Sequence, residues 1–323
     1  MATVAGQPGH LLLLGNGLNR LNATQSWDEL LQSLTRKADP DAHRRRGEKP
    51  FTLFFEELRN RFVYRQKGRA EDFMEEIGRS FSAVEPGDLH RRVVRLPFRH
   101  ILTTNYDYAL ERALDPGCDL TRASDDFQAR ETKFSLFRRR TCGDRHLWHI
   151  HGEAAVPTSI MLGHDHYTDY AAQVRRYFYQ GGSYSRTGVF QGGLQRDPLC
   201  FDQPSDGKPY SWVDLFVRDH VHIGGFSFDF SESLLWYLVS YRRRRREHVE
   251  RSGVTLPASE VIFYSFSDRE PDPRKLAIQE VLESFDVRCV TIDRSKGGYA
   301  GAWEQLLERW SRVASGGHPP PRA

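Results

Sequence analysis

Short apolar segments that alternate with helix-like segments constrain the fold of this chain more than any other feature. The first, His10–Leu14, is a run of leucines that ends at Gly15, which is typical of a buried parallel strand. Further strand-like segments occur at 98–102, 147–150, 220–223, 261–266 and 287–292, with helical spacing at 27–38, 51–62, 70–82, 106–114 and 303–313 and from Ser231 into a run of arginines. This alternation predicts an α/β fold: a Rossmann-like, doubly wound parallel sheet with helices on both faces.

Two long segments, 115–141 and 163–212, interrupt the alternation. We predict that they form a smaller inserted, mostly helical region within one domain that spans residues 1–314. Residues 315–323 are rich in glycine and proline, and we predict that this tail is disordered.

Composition narrows the class of protein. Of the 323 residues, 39% are hydrophobic and 28% charged, which permits a buried core and excludes wholesale disorder. Neither a membrane span nor a signal peptide is recognisable near the N-terminus, and the cysteines (Cys118, Cys142, Cys200 and Cys289) form neither a disulfide framework nor a CxxC pair. We therefore expect a cytoplasmic protein. Its net charge of only +3 argues against direct binding of nucleic acid, although 39 of the 46 basic residues are arginines.

Unusual residues follow the first and fourth strands, at the sheet edge where such folds bind ligands. Gly15, Asn16 and Gly17 end the first strand, and glycines there allow backbone amides to approach a pyrophosphate. Because Arg20 stands where a third glycine would fall, an ordinary strand-to-helix turn explains this motif equally well. The segment 223–229 ends the fourth strand with similar chemistry, a pair of glycines followed by a hydroxyl and a carboxylate.

Polar residues also end the second and third strands. The segment 103–107 (Thr-Thr-Asn-Tyr-Asp) has more polar side chains than helix capping requires. His149 and His151 are two residues apart, as are His164 and His166, which makes a metal site conceivable. No carboxylate or cysteine falls at a familiar zinc spacing around them, so we favour a histidine that acts as a base and expect no metal.

In this order the four motifs resemble the sirtuin-like NAD-binding domain, and in particular its bacterial branch associated with anti-phage defence. Sirtuins carry a Gly-Ala-Gly turn, a Thr-Gln-Asn-Ile-Asp segment, a His-Gly pair and a Gly-Thr-Ser turn in the same order. The protein deacylases of the family also insert a four-cysteine zinc ribbon after the His-Gly pair. Here only Cys200 lies between His151 and Cys289, and the aromatic segment 167–184 replaces the region that would complete an acyl-lysine cleft. The resemblance therefore implies NAD⁺ hydrolysis more than deacylation.

The resemblance also implies roles for individual residues. Asn105 would orient water or the ribose, Asp107 would contact the nicotinamide carboxamide, and His151 would act as the base. The residues expected to hold the pyrophosphate and the adjacent ribose are Gly15, Asn16, Gly17, Thr104, Gly225 and Ser227, and Asp293 is expected to contact the adenosine half.

The implied activity is cleavage of NAD⁺ to ADP-ribose and nicotinamide, which would deplete the host's cofactor during phage infection. Two alternatives stay open at this point: a non-catalytic module that senses NAD or ADP-ribose for a partner, and an atypical deacylase. The resemblance also suggests a homo-oligomer and a HerA-type ATPase as partner. The arginine run, residues 242–246, is either a solvated helix end or a contact surface for acidic residues of a neighbouring subunit or for nucleic acid.

Overall fold

A computed structural model describes most of the chain, and its fold is the predicted α/β arrangement. The described residues are 7–21, 27–38, 47–118, 120, 128–129, 135–180, 182–185, 190–194, 210–267, 272–295 and 297–314. The tail 315–323 and Cys200, both named in the sequence analysis, lie outside them.

The strands and helices follow one another in the alternation that the sequence predicts. The strands are β1 (His10–Leu14), β2 (His100–Thr103), β3 (Gln128–Ala129), β4 (Arg140–Cys142), β5 (Arg145–His149), β6 (Gly182–Ser185), β7 (Phe190–Leu194), β8 (His220–Gly224), β9 (Val261–Ser267) and β10 (Val287–Asp293). The helices are α1 (Trp27–Ala38), α2 (Phe51–Arg65), α3 (Ala70–Ser82), α4 (Asp88–Val93), α5 (Ala109–Leu114), α6 (His164–Gln180), α7 (Trp212–Arg218), α8 (Ser233–Arg251), α9 (Pro273–Ser284) and α10 (Gly298–Ala314). None of the helices in these ranges is both long and apolar enough to cross a membrane.

The main sheet has the strand order β10-β9-β8-β1-β2-β5-β4, and only β4 is antiparallel to its neighbour. The chain enters the sheet at its centre, builds one half through β2 and β5, and then returns to build the other half from β8. The direction of winding therefore reverses between β1 and β8. In sheets of this type ligands bind outside the carboxyl ends of the strands at that reversal. Leu14 is in register with Thr103 on β2 and with Gly224 on β8, so these strands end at one level.

Both faces of the sheet are buried, which explains why β1 reads as an unbroken run of leucines. Leu11 and Leu13 pack into the cluster that contains residues of α6, α7 and α8, whereas Leu12 and Leu14 pack into the cluster of α4 and α10. A third cluster joins α2 and α3 to Tyr106 and Tyr108, which follow β2. Because Asn105 and Asp107 alternate with these two tyrosines, the packing of the tyrosine rings also fixes the position of the two polar residues.

The inserted segments hold regular structure that the sequence analysis did not resolve. Helix α6 occupies the first third of 163–212, and β3, β6 and β7 form a separate three-stranded antiparallel sheet. Two predicted helices begin later than expected, because the residues before them form turns. Helix α5 begins at Ala109 rather than 106, and α8 begins at Ser233, after a turn in which Phe228 has a φ of +51°.

The arginine run lies on α8, and its members differ in environment. Arg242 is buried, and its Nη1 donates to the carbonyl oxygens of Phe216 (2.6 Å) and Asp219 (2.7 Å) at the end of α7. Arg243 and Arg244 are exposed. Some of the arginines therefore reach solvent, as expected from five consecutive helical residues, while Arg242 ties α8 to α7.

We expect Arg242→Met to lower the free energy of unfolding by roughly 2–4 kcal/mol, because it leaves buried carbonyl groups without their charged donor. The matched change Arg244→Met alters an exposed side chain and is expected to stay within about 0.5 kcal/mol of the parent. Urea denaturation measures both. Equal effects of the two substitutions would contradict the structural role of Arg242.

Candidate functional site

Two glycine turns meet at the reversal point of the sheet. The backbone N–H of Gly15 donates to Gly224 O at 3.1 Å, and that of Gly17 donates to Gly225 O at 2.7 Å. A Cβ atom would lie 2.5 Å from Gly225 O at position 15 and 2.6 Å from it at position 17, closer than such atoms approach. Gly225 itself has a φ of +64°, which favours glycine. The structure brings the predicted turns together. However, the backbone N–H groups of Gly15 and Gly17 donate to carbonyl oxygens of the facing turn and do not point into open space.

The half-buried Asn16 is bonded to a chain of buried amide and imidazole groups behind the first turn. Asn19 Nδ2 donates to Asn16 Oδ1 (2.9 Å) and to Asp107 Oδ2 (2.8 Å), while Asn19 Oδ1 lies 2.8 Å from His90 Nε2. Because Asn19 Oδ1 only accepts, His90 Nε2 carries the proton, and His90 Nδ1 accepts from Gly87 N at 3.2 Å. Burial lowers the pKa of His90 to about 4, consistent with this neutral form. Asn19 thus links the turn after β1 to the turn after β2.

Asp107 is occupied within the protein on both carboxylate oxygens. Oδ2 accepts from Asn19, and Oδ1 accepts from the backbone N–H of Ala109 at 3.0 Å, at the start of α5. Burial raises the pKa of Asp107, and these bonds oppose the rise. Its geometry is that of a group that holds the turn. A contact with a nicotinamide carboxamide stays a prediction.

Asn105 stands at the end of β2 with its side chain buried and only partly satisfied. Nδ2 reaches Gly15 O at 3.5 Å, but Oδ1 is buried without a hydrogen-bond partner. A buried carbonyl without a hydrogen-bond partner costs about 1–3 kcal/mol. A ligand that donates a hydrogen bond to this oxygen would remove that cost. Its neighbour Thr104 fixes the turn through its backbone N–H, which donates to Leu14 O at 3.0 Å.

A buried ion pair of His149 and Glu111 holds the Asn105 backbone in place. His149 Nδ1 lies 2.8 Å from Asn105 O and His149 Nε2 lies 2.7 Å from Glu111 Oε1, so both ring nitrogens face acceptors. Burial alone would lower the pKa of His149, but Glu111 and these hydrogen bonds raise it to about 9. His149 is therefore an imidazolium at neutral pH, and the sequence analysis did not identify Glu111 as its partner.

His151 follows β5 and is nearly inaccessible, with 2% of its surface exposed. Burial lowers its pKa to about 3, so the ring is neutral at pH 7. Its Nε2 lies 3.5 Å from Glu232 Oε2, and both atoms are buried without a hydrogen bond. The ring also makes an edge contact with Tyr167, at 5.4 Å between centroids.

Glu232 and Tyr167 complete the polar cluster, and the sequence analysis missed both. The Tyr167 hydroxyl, on α6, donates to Glu232 Oε1 at 3.2 Å. Burial raises the pKa of Glu232 to about 8. Glu232 immediately precedes α8, and its proximity to His151 arises only when the segments after β8 and β5 fold over the sheet edge.

The remaining predicted residues lie farther from this cluster. Ser227 is exposed in the turn after β8. Asp293 ends β10, three strands from β1, and its carboxylate accepts from Ser295 N (2.7 Å) and Ser295 Oγ (2.6 Å). Strands β10 and β5 are five spacings apart, about 24 Å, so Asp293 is brought to the same sheet edge but not to His151. Its contact with an adenosine stays a prediction.

The histidine pairs do not form a metal centre among the described residues. His149 is bound to Glu111, and His166 Nδ1 accepts from the backbone N–H groups of Leu162 and Gly163, each at 3.3 Å. No group of three or more histidine, cysteine, aspartate or glutamate side chains with metal-binding geometry occurs in the part of the chain that the structure describes. That the site works without metal stays a prediction.

Comparison with known proteins agrees with the motifs. The family model of the SIR2-like domain matches residues 99–189, which run from β2 through β6. Over 192 residues the chain is 26% identical to the NAD(+) hydrolase ThsA of Acinetobacter baumannii (strain 532279), covering 58% of this chain and 36% of that protein. The chain thus spans about a third of the length of the curated relative that it matches. The resemblance predicted from the strand-end motifs is confirmed: the chain carries a SIR2-like region, which includes Asn105, Asp107 and His151.

Proposed function

We propose that this protein hydrolyses NAD⁺ to ADP-ribose and nicotinamide. The observation that carries the proposal is the buried, unpaired Asn105 Oδ1 beside the buried His151 ring, at the ends of neighbouring strands near the reversal point. The match to a protein named as an NAD(+) hydrolase supports the same substrate.

The chemistry needs few protein groups. Cleavage of the bond to nicotinamide builds oxocarbenium character at the ribose C1′, and the leaving group departs neutral. The Asn105 amide would orient the ribose or the attacking water, and the neutral His151 ring would take a proton from that water or from a ribose hydroxyl. His149 and Glu111 would hold the Asn105 backbone in place.

The test is incubation of the purified protein with NAD⁺, followed by chromatography of the products. We expect equal amounts of nicotinamide and ADP-ribose. Binding of NAD⁺ without turnover would instead favour the sensing module. Acyl transfer from an acylated lysine peptide to ADP-ribose would favour the deacylase.

Removal of metal is expected to leave this activity unchanged, because the proposed chemistry assigns no step to a metal ion. The measurement compares rates before and after treatment with EDTA, with the zinc content determined on the same samples. A stoichiometric metal that is lost together with activity would contradict this expectation.

We further propose that the hydrolysis depletes NAD⁺ in infected bacterial cells. The resemblance of the motifs to the defence-associated branch supports this role, and the NAD⁺ content of phage-infected cells that carry the active protein or a His151 variant tests it. A homo-oligomer and a HerA-type ATPase partner stay predictions from the same resemblance, which light scattering and co-purification test.

A further inference from the structure

Glu232 approaches the candidate base from the opposite half of the sheet. It follows β8, whereas His151 follows β5, and strands β1 and β2 lie between those two. Three strand spacings correspond to about 14 Å, so the two segments meet above the carboxyl ends of the intervening strands. The Tyr167 hydroxyl on α6 fixes the carboxyl group through Oε1, which leaves Oε2 directed at His151.

Glu232 Oε2 and His151 Nε2 lie close to each other but do not form a hydrogen bond. The atoms are 3.5 Å apart and buried, and neither makes a hydrogen bond. Hydrogen bonds between catalytic groups are often long without substrate and shorten in the substrate complex. A small rotation of either side chain completes this one and satisfies both atoms.

The protonation state of Glu232 decides which nitrogen of His151 carries the proton. A protonated carboxyl group donates to Nε2, which places the imidazole proton on Nδ1 and removes the lone pair there. An ionised carboxylate accepts from Nε2–H, which leaves Nδ1 free to accept a proton. Only the second arrangement presents a base to the substrate.

We propose that Glu232 is a positioning residue that makes His151 a base by accepting its Nε2–H. The catalytic step of this inference rests on the proposed function, whereas the contact between Glu232 and His151 rests on the geometry of the structure. In the reaction, a proton passes from the water or ribose hydroxyl to His151 Nδ1 and the ring becomes an imidazolium, which ionised Glu232 stabilises. The proton then leaves Nδ1 to solvent, and no oxidant or further reactant is needed.

The groups around Glu232 set the direction of its pH dependence. His151, Tyr167, Tyr106 and Asp229 face it from the segments after β5, from α6, from the turn after β2 and from its own loop. Burial raises the pKa of Glu232 to about 8; the Tyr167 bond lowers it and the Asp229 charge raises it. The carboxyl group is therefore mostly protonated at pH 6 and ionised at pH 9. We expect kcat/KM to rise about tenfold per pH unit from pH 6 to 8 and then to level off.

The variant Glu232→Gln tests this dependence. Its amide is close in size to the acid, retains an acceptor for Tyr167 and does not titrate between pH 6 and 9. We expect a lower rate that stays constant within about twofold over this range. Glu232→Asp, which still titrates, is expected to retain the pH dependence. If Glu232→Gln lowers the rate equally at every pH and keeps the parental profile, Glu232 is only structural and the proposal fails.

Asp229→Asn is the matched control in the same loop. The Asp229 carboxylate binds the Ser231 backbone N–H at 2.9 Å and Arg274 at 2.6 Å and has no hydrogen bond to His151. This variant is expected to keep the rise of rate with pH. Its midpoint is expected to move to lower pH, because a negative charge that raises the Glu232 pKa is removed.

A second measurement does not depend on catalysis. Nitrogen-15 NMR of the histidine rings, with His151 assigned by comparison with His151→Gln, reports which nitrogen carries the proton. We expect Nδ1–H at pH 6 and Nε2–H at pH 9 in the parent, and one unchanged tautomer in Glu232→Gln. One tautomer throughout in the parent would overturn the proposal even if NAD⁺ is cleaved. A tautomer switch in a protein that cleaves no NAD⁺ would overturn the proposed function and leave the pair established.

Discussion

His151→Ala and Asn105→Ala are each expected to lower the rate of NAD⁺ cleavage by about 10²–10⁴-fold, the usual effect of removing a general base or an orienting group. In the proposed site the neutral His151 ring is the base, and Asn105 offers an unpaired carbonyl oxygen one strand away. Nicotinamide release at saturating NAD⁺ measures the loss. Because neither side chain makes a short hydrogen bond within the protein, both variants are expected to fold like the parent.

The matched control is His164→Ala. His164 is exposed at the start of α6, so this change removes the same side chain at a distance from the candidate site. It is expected to retain the parental rate. If His151→Ala and Asn105→Ala also cleave NAD⁺ at that rate while circular dichroism shows a native fold, the site is assigned to the wrong residues.

Glu111→Gln is expected to lower the free energy of unfolding by about 3–5 kcal/mol at neutral pH, the usual cost of removing one partner of a buried ion pair. Glu111 is fully buried, and its carboxylate at 2.7 Å is the counterion of the His149 ring. The amide keeps the shape but leaves the imidazolium without a charge partner. Asn105 is bonded to the same ring, so we also expect slower NAD⁺ cleavage.

The pH dependence of stability identifies this pair. The pKa of His149 is raised from 6.5 in the unfolded chain to about 9 in the fold. The folded state therefore binds the extra proton, and its stabilisation is complete below pH 6.5 and lost as pH rises through 9. This amounts to about 3 kcal/mol. Urea denaturation of the parent and of Glu111→Gln at pH 6.5 and 9.5 isolates it, because Glu232, whose raised pKa of about 8 also lowers stability over this range, is present in both proteins. We expect Glu111→Gln to lose about 3 kcal/mol of the parent's difference between the two pH values, and an undiminished difference in that variant would exclude the pair as its source.

Most of the fold was predictable because buried parallel strands have a plain sequence pattern. Strand β1, with four leucines and a glycine after it, is apolar on both faces, and β2, β5, β8, β9 and β10 were found in the same way. Strand β4 was not, because an edge strand such as Arg140–Cys142 is polar and only three residues long. Helix α6 was not resolved either, since its aromatic and charged residues resemble those of the polar connector around it.

Only the part of the candidate site that lies at strand ends was predictable from the sequence. Asn105 and His151 stand directly after apolar runs, and the topology places such positions along one edge. Asp107 was identified by position, but its bonds to Asn19 and Ala109 depend on how the turns fold. Glu232 is far from His151 in the chain, and no spacing or composition indicates their contact. The proposed role of Glu232 rests on the 3.5 Å distance between its Oε2 and His151 Nε2, which only the structure provides.

The pairing of the two glycine turns has a consequence for how this protein reaches its active state. Gly15 and Gly224 are brought together across almost two thirds of the chain, and β1 pairs with β2 and β8 through long intervening segments. Contacts between such distant parts of the sequence form late, because the entropy cost of closing the long loops is incurred before the contacts stabilise the fold. A nascent or truncated chain that lacks β8 therefore contains the Asn105 and His151 turns but not the edge that faces them. The proposed cleavage of NAD⁺ would thereby depend on completion of the sheet.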